Sequence, residues 1–154
     1  MSADSASDEA LARSLVHDVG TGALATLLEN GAPFASYVTT APAADGSPLL
    51  LLSDLAMHSR NIARDPRASL LYVRAPDPED EEMTAVRLTL TGRLIGDDDA
   101  ELSARYLAAH PEAARYAGFA DFSLYRFHIA AGHLVAGFGR IVSLAPADLL
   151  SAGA

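Results

Sequence analysis

The residues with chemistry to offer cluster around one joint in the chain. Leu49 to Leu52 run into Ser53 and Asp54, and a short segment carrying His58, Arg60, Asn61 and Arg64 follows before Asp65-Pro66 ends it. A hydroxyl and a carboxylate where a strand hands over to a helix read in two ways. They cap a plain helix with a solvated basic face, or they border an anion site, for a phosphate above all, built on the free N–H groups of the helix start. At about 100° per residue, a helix from Leu55 to Arg64 places Leu55, Ser59 and Ile62 on one face with His58 at its edge. Arg60 and Arg64 fall on the other side, so His58 is expected to look inward and the two arginines to face water. Ser36 interrupts the apolar part of an earlier strand, and Arg87 projects from the polar face of a later one. A hydroxyl, an imidazole and a guanidinium meeting in one groove would hold a phosphomonoester. The alternatives are an outward Ser36 and an Arg87 in a surface ion pair, and the sequence does not choose between them.

Composition narrows what else is open. All 11 basic residues are Arg, so Schiff-base lysines and Walker-type phosphate lysines are excluded. There is no cysteine, which removes disulfides, thiolate metal sites and thiol nucleophiles together. A net charge of −9 argues against a general nucleic-acid binder. No uncharged apolar run reaches the roughly 18 residues of a membrane helix, and "MSADSASDEA" has no signal-peptide pattern. A cytoplasmic protein without a membrane partner is the expectation.

The elements that must position these side chains follow from periodicity. Residues 8 to 18 read as a helix and residues 1–10 as a flexible N-terminus, ahead of a single domain over 11–150. Asn30-Gly31 between two apolar runs marks a hairpin, and Asp45-Gly46 a second turn. "RASLLYVR" is a strand, and residues 75 to 82, "APDPEDEE", form a solvated acidic loop. "TAVRLTLTGRLI" alternates, with Val86, Leu88 and Leu90 on one side and Arg87, Thr89 and Thr91 on the other. A helix capped by Asp97 and a further turn to Tyr116 come next. "FSLYRFHIAAGHLVAGFGRIVSL" reads as two strands joined around Ala131-Gly132, with His128 and His133 flanking the turn and no metal site expected there. Gly137-Phe138-Gly139 suggests a bulge within a strand, and the tail after Leu144 a frayed end. The fold class is α+β, mainly β: a six- to seven-stranded antiparallel split β-barrel with peripheral helices, whose closure removes exposed edges.

Four segments, "GALATLLENGAPFASYV", "LLSDLAMHSRNIARDPRASLLY", "RLTLTGRL" and "DFSLYRF…GHLVAGFGRI", occur in an order and spacing that resemble the pyridoxamine 5′-phosphate oxidase-related FMN-binding split barrels. The similarity is greatest to their heme-utilisation branch and runs from Leu11 to Leu150. It implies a homodimer with a small-molecule ligand at the subunit interface. It also implies FMN as cofactor and an FMN-dependent oxidoreductase of unspecified substrate. The alternative is a heme-binding or heme-utilisation protein of the same fold without flavin chemistry. By this resemblance Ser36 stands where the oxidase has a phosphate-binding Arg, and Tyr37, Val38 and Thr39 line the flavin through their backbone. Leu52-Ser53 stand at a flavin-side Tyr-Thr pair, Met57-His58 at a phosphate-binding Arg-Lys pair, and Arg87 at a flavin-contacting Gln. Asp121 in "DFSLYRF" matches an Asp of the heme branch. That branch's heme-ligating His lies beyond the "GFG" strand, where this chain has none after His133. No catalytic side chain is assigned.

Overall fold

The computed structural model describes residues 3–151. It opens with helix α1, Ala3–Asp18. This starts five residues earlier than expected and takes in most of the segment read as flexible. Ala12, Leu15 and Val16 recur at helical spacing and are buried in the core. Eight strands follow: β1 (Thr21–Leu27), β2 (Pro33–Thr39), β3 (Ala41–Pro42), β4 (Pro48–Ser53), β5 (Arg67–Val73), β6 (Arg87–Gly96), β7 (Phe122–Val135) and β8 (Ile141–Leu144). They form one antiparallel sheet in the order β2-β1-β5-β6-β7-β4-β3, with β8 on the far half of β7. This is the mainly-β split barrel with peripheral helices, one strand richer than expected because β3 is only two residues long.

β7 is the spine. Its first part pairs with β4, its last four residues with β8, and Tyr125 to Val135 with β6. Two expectations are corrected here. Ala131-Gly132 is not a turn but the middle of this strand, and His128 and His133 both lie along it. The turn falls instead at Gly137 to Arg140, so Gly137-Phe138-Gly139 joins β7 to β8, and both glycines take positive φ. What breaks the periodicity of β7 is a register shift between Thr91 and Gly92, which leaves Ala130 as an extra residue. It keeps both Leu134 and Phe127 in the core although they are an odd number of residues apart.

The core is a row of inward residues across the sheet: Leu24, Leu70 and Leu90 are paired neighbours and fully buried. Each contributes roughly 1.5–3 kcal/mol of hydrophobic stabilisation. α2 (Met57–Arg64) covers β1 and β2 at one end. α3 (Ala100–Ala109) packs Leu102 and Tyr106 over the outer face of β4 and β7. Its cap is Asp99, which accepts from the Glu101 N–H at 2.8 Å, not Asp97. α4 (Pro146–Leu149) buries Leu149, so the tail expected to fray packs on the barrel up to that residue. Among the described residues no helix covers the outer face of β1, β5, β6 and the second half of β7, where Ala23, Thr91, Arg93 and His128 are exposed.

Candidate functional site

At the joint, β4 ends on Ser53 as expected, but the helix starts at Met57 with Ala56 at its cap and no side-chain cap bond. Ser53 and Asp54 are therefore not the helix cap. The Leu55 N–H donates to Ser53 Oγ at 3.3 Å, a local turn, and Ser53 Oγ donates to Asp121 Oδ2 at 3.0 Å. The Asp54 N–H donates to the Asp121 carbonyl, while the Tyr125 hydroxyl and the Ser123 hydroxyl donate to the Asp54 carboxylate. Strand β4 and the start of β7 are thus locked together. Leu55, expected inward, is exposed; Ser59 and Ile62 are buried, and Arg60 and Arg64 face water as expected.

Ser36 and His58 do meet. Both are half-buried, and His58 Nδ1 shares a hydrogen bond with Ser36 Oγ at 3.1 Å. Burial pushes the His58 imidazole below its ordinary range, and its Nε2 is buried without a partner. It is a neutral ring at neutral pH and supplies no cation. Arg87 does not join them. Ser36 pairs with Leu24, Leu24 with Leu70 and Leu70 with Leu90, three strand spacings or roughly 14 Å across the sheet. Arg87 lies three residues further along β6 on the opposite face, and its guanidinium donates to the carbonyls of Met83 and Ala85 at 3.1 and 3.3 Å. Within one subunit, then, the hydroxyl, imidazole and guanidinium expected to grip one phosphate are divided between the two faces of the sheet.

The remaining expected residues divide in the same way. Val38 is buried, and Leu52 is buried beside the joint. Tyr37 and Thr39 point outward, Tyr37 with 78% of its surface exposed, and Met57 is exposed at the start of α2. One partner of the joint escaped sequence reasoning. Asn61 is fully buried and its Nδ2 donates to Thr26 Oγ1 at 3.0 Å, tying α2 to β1. An Asn between a solvated Arg and a core Ile gave no sign of this.

The bare outer face presents two clusters. At one end Val73, Arg87, Val135 and Ile141 stand side by side across β5 to β8, and the next row contains Tyr37, Ala23, Leu71, Thr89 and His133. Tyr37, Val73 and Ile141 are exposed, as are Met83 and, in the adjoining turn, Phe138. Exposed large apolar side chains thus gather at this end of the face. At the other end Arg67, Arg93 and His128 are paired neighbours. They rim a hollow of about 560 Å³ floored by small residues such as Ala25, Ser69 and Thr91.

The model of the family described as "CREG, beta-barrel" matches residues 4–149. The chain belongs to the CREG beta-barrel family. Among family relatives, it is 42% identical over 99 residues to the non-canonical heme oxygenase HOZ, chloroplastic, of Arabidopsis thaliana, a match covering 62% of this chain and 29% of that one. The chain therefore spans less than a third of the length of this curated relative. A structure described as a heme binding protein from Mycobacterium smegmatis shares 35% identity at a TM-score of 0.82, over 94% of this chain and 59% of that one. HutZ of Vibrio cholerae, described as a heme storage protein, superimposes with a TM-score of 0.63 at 22% identity over 79% of this chain and 89% of its own, and shares the fold. The CREG beta-barrel chain thus sits beside heme-named proteins, as its likeness to the heme-utilisation branch implied. Among the described residues no helix is long and apolar enough to cross a membrane.

Proposed function

We propose that this chain is a heme-handling member of the CREG beta-barrel family, acting as a homodimer with the porphyrin held against the outer sheet face at the subunit interface. The observation that carries the reading is the exposed apolar end of that face. Heme is a flat apolar body with two carboxylates and an iron that takes imidazole. Tyr37, Val73 and Ile141 offer apolar contact, Arg87 offers a guanidinium for a propionate, and His133 offers an imidazole on the same face, two residues from Val135. When bound, the heme supplies a redox-active iron, and the protein supplies position and electrostatics. The relatives of 42% and 35% identity support the same ligand class.

Homodimerisation follows from the same patch, because an isologous interface covers it with its own copy. FMN is the weaker reading. Its phosphate would fall to Ser36 and a neutral His58, with Arg87 on the other face of the sheet. Ser36 to Thr39, Leu52, Ser53, Met57 and His58 are then framework and border residues of the interface, not a phosphate cradle.

The test is the absorption spectrum of the purified chain, alone and titrated with hemin or FMN, with light scattering for mass. A Soret band that saturates at one heme per chain, on a particle of dimer mass, is the expected result. Arg87→Ala weakens hemin binding about 10-fold or more, the scale of a lost hydrogen bond to a charged group. Flavin bands in the purified protein, with no Soret change on adding hemin, would overturn the reading.

A further inference from the structure

We propose that the hollow over Arg67, Arg93 and His128 is a separate binding site for a small organic anion, with its charged group on Arg93 and His128 and its apolar body over Ala25, Leu27 and Pro33. The register decides which side chains share this place. Arg67 lies directly opposite Arg93, and Arg93 directly opposite His128, so three basic residues stand in a line across three adjacent strands. Arg67 and Arg93 are like charges placed opposite one another on a sheet face, an arrangement that destabilises it. Of the two, Arg67 makes a two-pronged contact with Asp65, at 2.6 to 3.1 Å, whereas Arg93 meets that carboxylate only as a charge, with no hydrogen bond.

Among the described residues, Arg93 and His128 have no hydrogen bond or ion pair. No acidic residue lines the hollow, although the chain carries 20 of them. The positive field is felt nearby. Hydrogen bonds from Arg67, with smaller charge contributions from Arg67 and Arg93, hold the Asp65 carboxyl down to about 2.

The hollow has the size and the two-sided character of a small-molecule site. Its volume of about 560 Å³ falls inside the usual range for such pockets, roughly 300–1,000 Å³. Ser69 and Thr91 add hydroxyls beside the cations, and Ala25, Leu27 and Pro33 make an apolar flank. The site lies at the opposite end of β6 from Arg87, so it stands or falls apart from the heme reading.

The probe is 1-anilinonaphthalene-8-sulfonate, an anion with an apolar body, titrated into the full chain and followed by fluorescence, with inorganic phosphate as competitor. The expected result is a saturable component displaced by phosphate. Arg93→Gln weakens it at least 5-fold, and Arg64→Gln, on α2 and lining a different hollow, leaves it unchanged. Arg93 is exposed, so circular dichroism and the melting temperature of Arg93→Gln should match the parent protein. Dye binding that phosphate does not displace, or that is equal in the parent and in Arg93→Gln, would overturn the proposal.

Discussion

Strands β6 and β7 carry the same two side-chain types at both ends of one face. Arg87 and His133 lie at one end, Arg93 and His128 at the other, separated by the irregularity at Thr91 and Gly92. What differs is the company they keep. The first pair stands among Val73, Val135 and Ile141, and Arg87 is held by the Met83 and Ala85 carbonyls. The second pair stands beside Arg67, Ser69 and Thr91, and among the described residues Arg93 makes no hydrogen bond. The comparison shows that residue type does not assign a role here. An arginine fixed among exposed apolar side chains suits an interface that buries a flat ligand, whereas an arginine without a hydrogen bond at the rim of a largely apolar hollow suits an anion with an apolar body.

The largest expected effect on folding stability tests what separates the two ends. A Cβ on Gly92 would overlap the carbonyl oxygen of His128, backbone that cannot swing aside. Gly92→Ala must push β6 and β7 apart at the bulge and is expected to cost about 3 kcal/mol or more, read by chemical denaturation. A loss under about 1 kcal/mol would mean that the bulge relaxes freely and does not set the positions of His128 and Arg93.

A second effect, on association rather than on folding, distinguishes the ends by assembly. Tyr37→Ser combined with Ile141→Ser removes apolar surface from one end only. Each large side chain buried contributes roughly 1.5–3 kcal/mol, and a two-fold interface counts each change twice. The expected outcome in light scattering at micromolar concentration is a shift from dimer to monomer, with Arg93→Gln remaining a dimer. A double variant that stays dimeric would remove the apolar end from the interface.

The fold was legible in the sequence wherever a short period met a turn signal. The Asn30-Gly31 hairpin, the alternation of Leu88 and Leu90 against Arg87 and Thr89, and the acidic loop all stand as read. β7 was not legible, because one extra residue at Ala130 reverses the inside–outside parity along it and makes one strand look like two. The same shift hid the site at the basic end. That Arg67, Arg93 and His128 line up depends on register across three strands, and no local pattern contains it. The contact of Ser36 with His58 was anticipated, but their chemistry was not. A half-buried imidazole with no carboxylate beside it has its charged form disfavoured, which sequence spacing does not reveal.

That neutral ring makes a third prediction, and it concerns the covered joint rather than the open face. Because burial lowers the folded-state pKa of His58 below the ordinary value of 6.5, the unfolded chain takes up a proton first as pH falls. The stability held above about pH 6.5 should therefore decline as the pH drops through and below that value. His58→Gln, which keeps a polar group near Ser36, should flatten that part of the pH profile in denaturant titrations. An unchanged slope in the variant would mean that His58 titrates in the folded protein as it does in the unfolded chain, so that burial does not disfavour its charged form.

The smallest effect expected is at the acidic loop, which borders the apolar end but does not build it. Residues 77–82 are exposed, and the base of the connection is closed by the Arg74 N–H donating to the Val86 carbonyl at 2.9 Å. Met83 and Ala85, whose carbonyls hold Arg87, lie just beyond it. Replacing 76–81 by a short Gly-containing turn removes five-residue-scale chain entropy and clustered like charge while leaving those carbonyls in place. Surface changes of this kind stay within about 0.5 kcal/mol, which for a chain of this size is a shift of no more than about 2 °C in melting temperature. Hemin affinity should change less than in Arg87→Ala, and dye binding at the basic end not at all. A drop of many degrees would show that the loop packs on the sheet. A hemin loss as large as that of Arg87→Ala would show that the loop, rather than the two carbonyls, holds Arg87 in position.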